Sequence, residues 1–470
     1  MIYSIAVMVN NKMWRKCMLE EDVVQWLYEG AQALLNGSTR MGDMEKALER
    51  ASREVRRKAL ERLAQETADQ QPFVCPTCKT ALNVVEHHRG RTVKASFGGI
   101  RFVRSYGVCL VCQEQVFPAD VTLGLHRRAP ASPRVQEICA LTALRAPAGQ
   151  AEEDVRRLTG IELGASSLHQ EARRQGERAL ALRQADVALT KTLDGVVKLA
   201  ARAQTPLAPF TMVIELDAWN IRERDNWGLS QALREAGQET GRWHWVYTGT
   251  VFRLDQRGTT ATGRPVIAER GYVATRSGID GFQPQLYAEA IQRGLLQAEH
   301  VLILADGAIW IWNIAADRFK GASQRVDLYH VKEHLCSLAK ELFGNTEKAK
   351  EWVAPFLNWL ERRTDGALDV LQGLEGLRAT LDQFTASQQE AIEREIGYFD
   401  EHKKRMDYKA GKALGQPVGS GAIESTCSQY QRRFKLTGQF WSLDGDEAFL
   451  ALATLHRNGR WSQLFPHDAE

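Results

Sequence analysis

The chain has 470 residues, which is too long for one compact core and predicts two to four domains. Its hydrophobic fraction of 44% and charged fraction of 25% are ordinary for a globular protein, and no apolar run approaches the ~20 residues of a membrane span. A net charge of +3 is too small to indicate a nucleic-acid partner, so any basic surface must be local. At the N terminus the basic residues follow the apolar run, the reverse of a signal peptide, so we expect a cytoplasmic protein with reduced cysteines.

The N-terminal part is expected to contain a helical region, residues 1–70, and a small cysteine module, residues 71–125. In the helical region, apolar residues recur at helical spacing between charged residues. The module contains two C-x-x-C pairs separated by enough chain for a pair of strands: Cys75, Cys78, Cys109 and Cys112. Two such pairs on tight turns direct four thiolates at one ion, and Zn²⁺ prefers this set at ~2.3 Å. We therefore predict one structural Zn²⁺ in a zinc ribbon, since a disulfide or redox pair would need another compartment.

Residues 130–205 are predicted to be helical and to contain a helix-turn-helix. Two helical segments flank a short glycine-containing turn, and the second, Ser166–Arg174, begins at a serine pair typical of a helix cap. As a recognition helix it would bring Arg173 and Arg174 close to phosphates or bases. Plain packing of this helix is the alternative interpretation.

Residues 209–470 have the pattern of a mixed α/β domain. Three strand-like runs follow one another as in a meander: "FTMVIELDAW", "WHWVYTGTVFRLD" and "RPVIAERGYVATR". The runs "VLILADG" and "QRVDLYH" are two more predicted strands with a short helix between them, which indicates parallel pairing. Residues 335–415 are predicted to be helical throughout, and the last long helix contains Glu424.

Carboxylates stand at prominent positions of this domain. Glu215 and Asp217 lie on the same face of one strand, Asp306 ends another, and Glu424 begins the final helix. If the two strands are neighbours, these acids can converge and hold two Mg²⁺ or Mn²⁺ ions ~4 Å apart, as in-line phosphoryl displacement requires. Each acid alone also fits an ordinary turn or helix-dipole role.

Four segments of the domain resemble insertion-sequence DDE transposases of the Kra-type family, within the Mutator-like superfamily: "ELDAWNIRERDNWG", "LADGAIWIWNIAADRF", "VDLYHVKEHL" and "VGSGAIESTCSQYQRRFKLTGQFWS". The resemblance extends over essentially the whole chain. It implies a multidomain α+β protein whose RNase H-like α/β catalytic domain carries an all-helical insertion at about 335–415. The implied catalytic and metal-binding residues are Asp217, Asp306 and Glu424, with Glu215 as an alternative or additional first ligand.

The resemblance also implies a Cys-or-Asp, two residues, His motif. Asp327 and His330 match it, which would place the histidine near the scissile phosphate. The implied activity is phosphodiester cleavage at transposon ends, followed by joining of the 3′-hydroxyl to target DNA. The partners would be double-stranded DNA, namely terminal inverted repeats and target, and further copies of the chain, because two ends must be joined. Such a protein would work at the nucleoid of a prokaryotic cell. Backbone phosphates would be met by Arg432, Arg433 and Lys435.

Two other classes of function remain open on the sequence. His330, Glu333 and His334 also fit H-x-x-E-H, the inverted zinc-peptidase motif, with the glutamate as base. Alternatively, the chain is a zinc-ribbon and helix-turn-helix DNA-binding protein whose RNase H-like domain is inert. The peptidase hypothesis leaves the cysteine module and the contexts of Asp306 and Glu424 unexplained.

Overall fold

The computed structural model describes residues 22–126, 129–224, 228–238, 241–263 and 265–466. The chain has a mixed α+β fold that divides into two compact units, Met1–Ala172 and Arg173–Glu470. The boundary falls inside the region 130–205 that the sequence assigned to a single helical domain. None of the helices in the described ranges is long and apolar enough to cross a membrane.

The first described elements of this unit are two helices, α1 (Asp22–Leu35) and α2 (Met41–Gln70). A three-stranded antiparallel sheet follows, with strand order β1 (Asn83–Ala95), β2 (Gly98–Val108) and β3 (Gln115–Val116). Helix α2 lies along β2, since Gln65 accepts a hydrogen bond from the amide of Val103 at 2.9 Å. The strands between the two cysteine pairs are present, as the zinc-ribbon prediction requires, while residues 1–21 of the predicted helical region lie outside the described residues.

The rest of this unit is helical: α3 (Pro118–Thr122), α4 (Pro133–Ala143), α5 (Ala148–Thr159) and the start of α6 (Ala165–Leu189). Gly160, in the left-handed region at φ 65°, ends α5, so the predicted turn between two helices is present. Two details of the prediction are wrong. Helix α6 begins at Ala165, so the serine pair lies inside its first turn, and it continues for 25 residues instead of ending near Arg174.

The second unit contains a five-stranded mixed sheet with spatial order β10-β9-β4-β5-β8. Its strands are β4 (Thr211–Glu223), β5 (Arg242–Arg253), β8 (Gly271–Thr275), β9 (His300–Ala305) and β10 (Ser323–Val326). The meander β4-β5-β8 is antiparallel, whereas β9 is parallel to both β4 and β10. The run "RPVIAERGYVATR" is not one strand: β7 (Pro265–Ile267) pairs with β6 (Arg257–Thr259) in a separate ribbon, and only β8 joins the main sheet.

Helices surround this sheet. In chain order they are α7 (Leu193–Ala200), α8 (Ser230–Glu235), α9 (Gly278–Gln292), α10 (Ile309–Arg318), α11 (Leu328–Phe343), α12 (Glu347–Arg362), α13 (Gly366–Gly376), α14 (Ala386–His402), α15 (Tyr408–Ala413), α16 (Gly421–Phe434) and α17 (Leu443–Arg457). One continuous apolar core extends from sheet residues such as Ile214 and Ile303 to Val331 and Phe399 of the helical region. The predicted helical insertion is therefore packed into the core of the sheet domain.

Two boundaries in this unit differ from the sequence prediction. The predicted strand "QRVDLYH" ends at Val326, because the next residue, Asp327, caps a helix: its Oδ1 accepts from the amides of Tyr329 at 2.6 Å and His330 at 3.0 Å. Side chains of this type stabilise helix starts by accepting the unsatisfied first amides. The helix containing Glu424 is also not the last one, since α17 follows it.

Candidate active site and metal centre

The four cysteines of the first unit sit on two turns of the same design. In each turn the amide four residues after the first cysteine donates to the carbonyl of that cysteine, from Lys79 to Cys75 and from Gln113 to Cys109, both at 2.9 Å. Lys79 and Gln113 have positive φ angles of 61° and 59°. This backbone shape turns both sulfurs of a pair toward the same side.

The sulfurs of the two pairs meet. All four Sγ atoms lie within 4.8 Å of one another, and those of Cys75 and Cys112 are 3.6 Å apart. Tetrahedral Zn²⁺ with bonds of ~2.3 Å requires sulfurs roughly 3.8 Å apart. The backbone amide of Cys112 and the hydroxyl of Thr80 also lower the pKa of Cys109 to about 6, which favours the thiolate that binds metal. The cluster has a geometry that can bind a metal such as zinc.

In the second unit, the parallel pairing of β4 with β9 aligns two of the predicted acids. The register pairs Glu215 with Leu304, and Asp217 and Asp306 each follow two residues later. Both side chains are half-buried. Burial raises the pKa of Asp217, and the negative charge of Asp306 raises it further. The two carboxylates therefore interact. The loop after Asp306 also orients this carboxylate, because Oδ1 accepts a hydrogen bond from the backbone amide of Ala308 at 3.1 Å.

Helix α16 brings the third acid to the same end of the sheet. Glu424 lies exposed in its first turn, and Cys427 lies buried three residues later. The thiol of Cys427 donates to Asp217, and burial together with the charges of Asp217 and Glu424 raises the pKa of that thiol. Cys427 therefore lies close to both acids, which its isolated position in the sequence did not indicate.

The three acids are neighbours without forming a closed cluster. Across the described ranges, the cysteines are the group of three or more potential ligands whose ligand atoms all lie within 4.8 Å of one another. Within the same part of the chain, Asp217, Asp306 and Glu424 make no ion pair with a lysine or arginine. Neighbouring carboxylates repel one another unless a positive charge lies between them. Because these acids have no described lysine or arginine partner, their oxygens suit Mg²⁺ or Mn²⁺.

Glu215 has a different environment from Asp217. Its side chain is 1% exposed, and its Oε2 accepts from the backbone amide of Ile423 at 2.8 Å. Burial raises its pKa to about 8, against the lowering effect of that hydrogen bond. Glu215 therefore binds the first turn of α16, the turn that carries Glu424.

Asp327 also fixes the start of α16. It is buried, caps α11 and accepts a hydrogen bond from the amide of Ser420, directly before α16. His330, in the first turn of α11, lies near enough to Asp217 that its charge lowers the pKa of that carboxyl. The Asp-x-x-His motif thus joins the helical region, the loop before α16 and the acidic site.

The helical region contributes a residue that the sequence did not single out. Tyr398 of α14 stacks on His334, with ring centroids 4.0 Å apart and planes 7° apart, and His334 Nδ1 lies 2.8 Å from Glu395 Oε2. The Tyr398 hydroxyl is buried and has no hydrogen-bond partner among the described residues. Burial and the charge of Asp306 raise its pKa. The sequence did not indicate that Tyr398 lies near Asp306, because the two residues are far apart along the chain.

The predicted DNA-contacting residues fall into different environments. Arg432 and Lys435 are exposed at the end of α16. Arg433 is 8% exposed and its guanidinium packs over Trp441 at 5.1 Å, so its side chain is largely covered and its phosphate contact stays a prediction. Arg173 is half-buried and donates to Glu177 at 3.0 Å, and Arg174 is half-buried beside it.

Comparison with known proteins adds no family. No protein-family model matches the sequence, and no curated protein matches it significantly. The molecule is therefore defined by its own features: a mixed α/β unit with carboxylates at one end of its sheet, and a separate unit with a four-cysteine cluster.

Proposed function

We propose that this protein is a DDE transposase of a bacterial insertion sequence. The observation that carries the proposal is the placement of Asp217 and Asp306 at matching positions of two adjacent parallel strands, with Glu424 in the helix whose first turn is hydrogen-bonded to Glu215 of the same strand. Convergent acids without basic partners are suited to divalent metal and phosphate chemistry. The residues are those that the motif resemblance assigns to catalysis.

The sheet topology supports an RNase H-like catalytic domain. Its first strand, β4, is central, the next two strands extend the sheet antiparallel on one side, and β9 and β10 extend it in parallel on the other. The helical region α11–α15 enters between β10 and α16, which fits the all-helical insertion of the superfamily. We propose that α5 and α6 form the DNA-binding helix-turn-helix, and that the zinc ribbon assists in recognising the ends.

The residues of the site would divide the chemistry as follows. When bound, two Mg²⁺ or Mn²⁺ ions supply an activated water or 3′-hydroxyl and stabilise the leaving oxygen. Asp217 and Asp306 would bind the cations, and Glu424 would complete the donor set from the helix. Glu215 and Asp327 fix the start of that helix through Ile423 and Ser420. Neither cleavage nor joining needs a covalent protein intermediate.

His330 would contact the substrate. It stands in the first turn of α11, next to Asp217 and half-exposed. In that place a ring N–H would donate to a non-bridging phosphate oxygen and stabilise charge that grows during displacement. Outside the cleft, the exposed Arg432 and Lys435 would contact backbone phosphates, which makes DNA binding salt-dependent.

The peptidase hypothesis has less support. His330 and His334 have ring centroids 5.0 Å apart, as the spacing requires, but His334 Nδ1 is engaged by Glu395. Glu333, the required base, is 78% exposed and its nearest described ionic partner is His330 at 3.8 Å. Within the described residues, no third donor joins the two histidines within 4.8 Å.

The test is metal-dependent cleavage of a duplex that carries the inverted repeats flanking the gene. We expect nicking and strand joining with Mg²⁺ or Mn²⁺, and loss of both in Asp306→Asn and Glu424→Gln. Glu333→Gln is the matched control: it removes an acid close to the site and leaves cleavage intact, whereas a peptidase would lose its activity. Cleavage retained in Asp306→Asn refutes the assignment. Tight DNA binding with no cleavage by the unaltered chain favours the inert DNA-binding protein.

A further inference from the structure

Beyond the acidic site, β4 and β5 continue as a two-stranded ribbon, residues 218–223 paired with residues 242–247. Pairing with β9 ends at Glu215, so this ribbon extends past the body of the sheet. One of its faces is anchored: Trp219 and Ile221 are buried, and the ring of Trp219 lies 6.3 Å from that of Phe434 in α16. The ribbon is therefore a fixed platform.

The opposite face of the ribbon carries a row of aromatic rings. Trp243 is 59% exposed and Trp245 is 54% exposed, and both point to the same side because strand side chains alternate. Tyr247 follows on that side and meets Trp310 edge to face, with ring centroids 5.2 Å apart. Trp310 belongs to α10, the helix that follows Asp306. The aromatic row thus leads from the exposed end of the ribbon to the catalytic loop.

Cations surround the exposed end of this row. The Arg222 guanidinium lies 5.8 Å from the ring of Trp243 and 4.7 Å from that of Phe440. The Lys435 ammonium is also 5.8 Å from the ring of Trp243. Exposed aromatic faces among positive charges are the combination that binds single-stranded nucleic acid, since bases stack on the rings and phosphates meet the cations.

We propose that the aromatic row, Trp243, Trp245, Tyr247 and Trp310, binds unpaired bases of a DNA strand, with Trp243 and Trp245 as the stacking surfaces. This rests on the proposed function for its biological context, since an element end opened near the cut would supply such a strand. Protein-binding faces are also enriched in tryptophan and arginine, but they are depleted in lysine. Here Arg222 and Lys435 adjoin the exposed ring itself.

The register gives the position of the bound bases. Trp245 pairs with Asn220, three residues beyond Asp217, which is ~10 Å along the strand. The path of the bound strand from the cut phosphate to the stacked bases is therefore at least this long. Asp217 and Trp245 point to opposite faces of the sheet, so the strand must bend around the edge of β4 that β9 leaves free. An unpaired strand makes this bend, and a stiff duplex resists it.

The experiment measures binding of a labelled oligothymidylate of about 15 nucleotides to the full chain by fluorescence anisotropy. The double variant Trp243→Ala with Trp245→Ala should weaken binding by about tenfold or more. Tyrosine at both positions should restore most of it, because the stacking face is kept. Trp26→Ala is the control: this tryptophan is 49% exposed but lies in the other unit, and its loss should change nothing.

The outcomes separate this inference from the proposed function. Asp306→Asn should abolish cleavage and leave oligothymidylate binding unchanged. If the double variant binds as tightly as the unaltered chain, the row is not a base-stacking surface, even if cleavage proceeds normally. If the double variant instead changes the sedimentation behaviour of the DNA-free protein, the row is covered by a second copy of the chain and the proposal is overturned. If no variant or metal gives cleavage but binding still depends on the two tryptophans, the transposase proposal fails and the binding surface stands.

Discussion

Replacing Glu215 with glutamine should preserve DNA cleavage and remove a pH dependence of stability. Glu215 is fully buried against the amide of Ile423, and burial raises its pKa to about 8 from an ordinary 4.5. Its neutral form is therefore favoured in the folded state. The stabilisation is fully present below about pH 4.5 and is lost as the pH rises toward about 8. At 1.36 kcal/mol per pH unit, the difference is about 5 kcal/mol.

The assay is urea unfolding of the zinc-loaded chain at several pH values from about 4.5 to about 9, with Glu215→Gln in parallel. The glutamine oxygen still accepts from Ile423 but carries no charge, so the variant should gain up to about 5 kcal/mol on the unaltered chain across this range. Glu215→Ala is the matched control. It leaves the amide of Ile423 unsatisfied and also carries no charge, so it should be less stable than Glu215→Gln by about 1–3 kcal/mol at every pH.

Cleavage by the same variants decides between the two roles of this acid. If Glu215 only holds the start of α16, Glu215→Gln cleaves DNA at close to the normal rate, while Asp217→Asn does not. If Glu215→Gln loses cleavage as completely as Asp217→Asn, Glu215 is a metal ligand and our interpretation of its contact with Ile423 is wrong. Parallel pH profiles for the glutamine variant and the unaltered chain would refute the linkage argument.

Three further predictions follow from individual contacts. Cys112→Ser should reduce bound zinc from one ion per chain to none and unfold the ribbon, which metal analysis and circular dichroism would measure. The control Cys336→Ser, at another exposed cysteine, should keep its zinc. Equal zinc in both variants would contradict the assignment of the four cysteines as the zinc site. Asp327→Asn should cost about 1–3 kcal/mol in urea unfolding, because two amides of α11 and that of Ser420 lose a charged acceptor; an unchanged midpoint would contradict this. Tyr398→Phe removes a buried hydroxyl without a described partner, so Tm should not fall, and a lower Tm would show that the hydroxyl is hydrogen-bonded in solution.

The local parts of the site were predictable because their chemistry is written in short spacings. Two C-x-x-C pairs must lie on tight turns, and the structure brings their sulfurs together. Strand alternation placed Glu215 and Asp217 on one face, and the aliphatic run before Asp306 is indeed a buried strand. The Asp-x-x-His motif predicts that its histidine lies close to the acids. Its aspartate, however, falls in a predicted strand and in the structure caps a helix. An acid directly before an amphipathic run is also typical of a helix cap.

Contacts between distant segments were not predictable from these patterns. Glu215 and Asp217 look equivalent on a strand, and only the position of α16 makes one a helix anchor and leaves the other beside Asp306. Arg433 has the spacing of a basic surface residue, yet the rings of Trp441 and Phe449 cover it. Such differences depend on which segment packs against which.

By itself, the sequence determined the cysteine cluster, the mixed α/β class and the acids worth testing, because ligand spacing and side-chain alternation are properties of neighbouring residues. Three features came only from the folded structure: Asp306 and Asp217 lie on adjacent strands, Tyr398 of a distant helix is close to Asp306, and Trp243 and Trp245 stay exposed on the β4–β5 ribbon. These are consequences of strand order and of the contacts that bury one face of an element while leaving the other open. The spacing of residues along the chain does not predict these positions, because they depend on which segments pack together in the folded core.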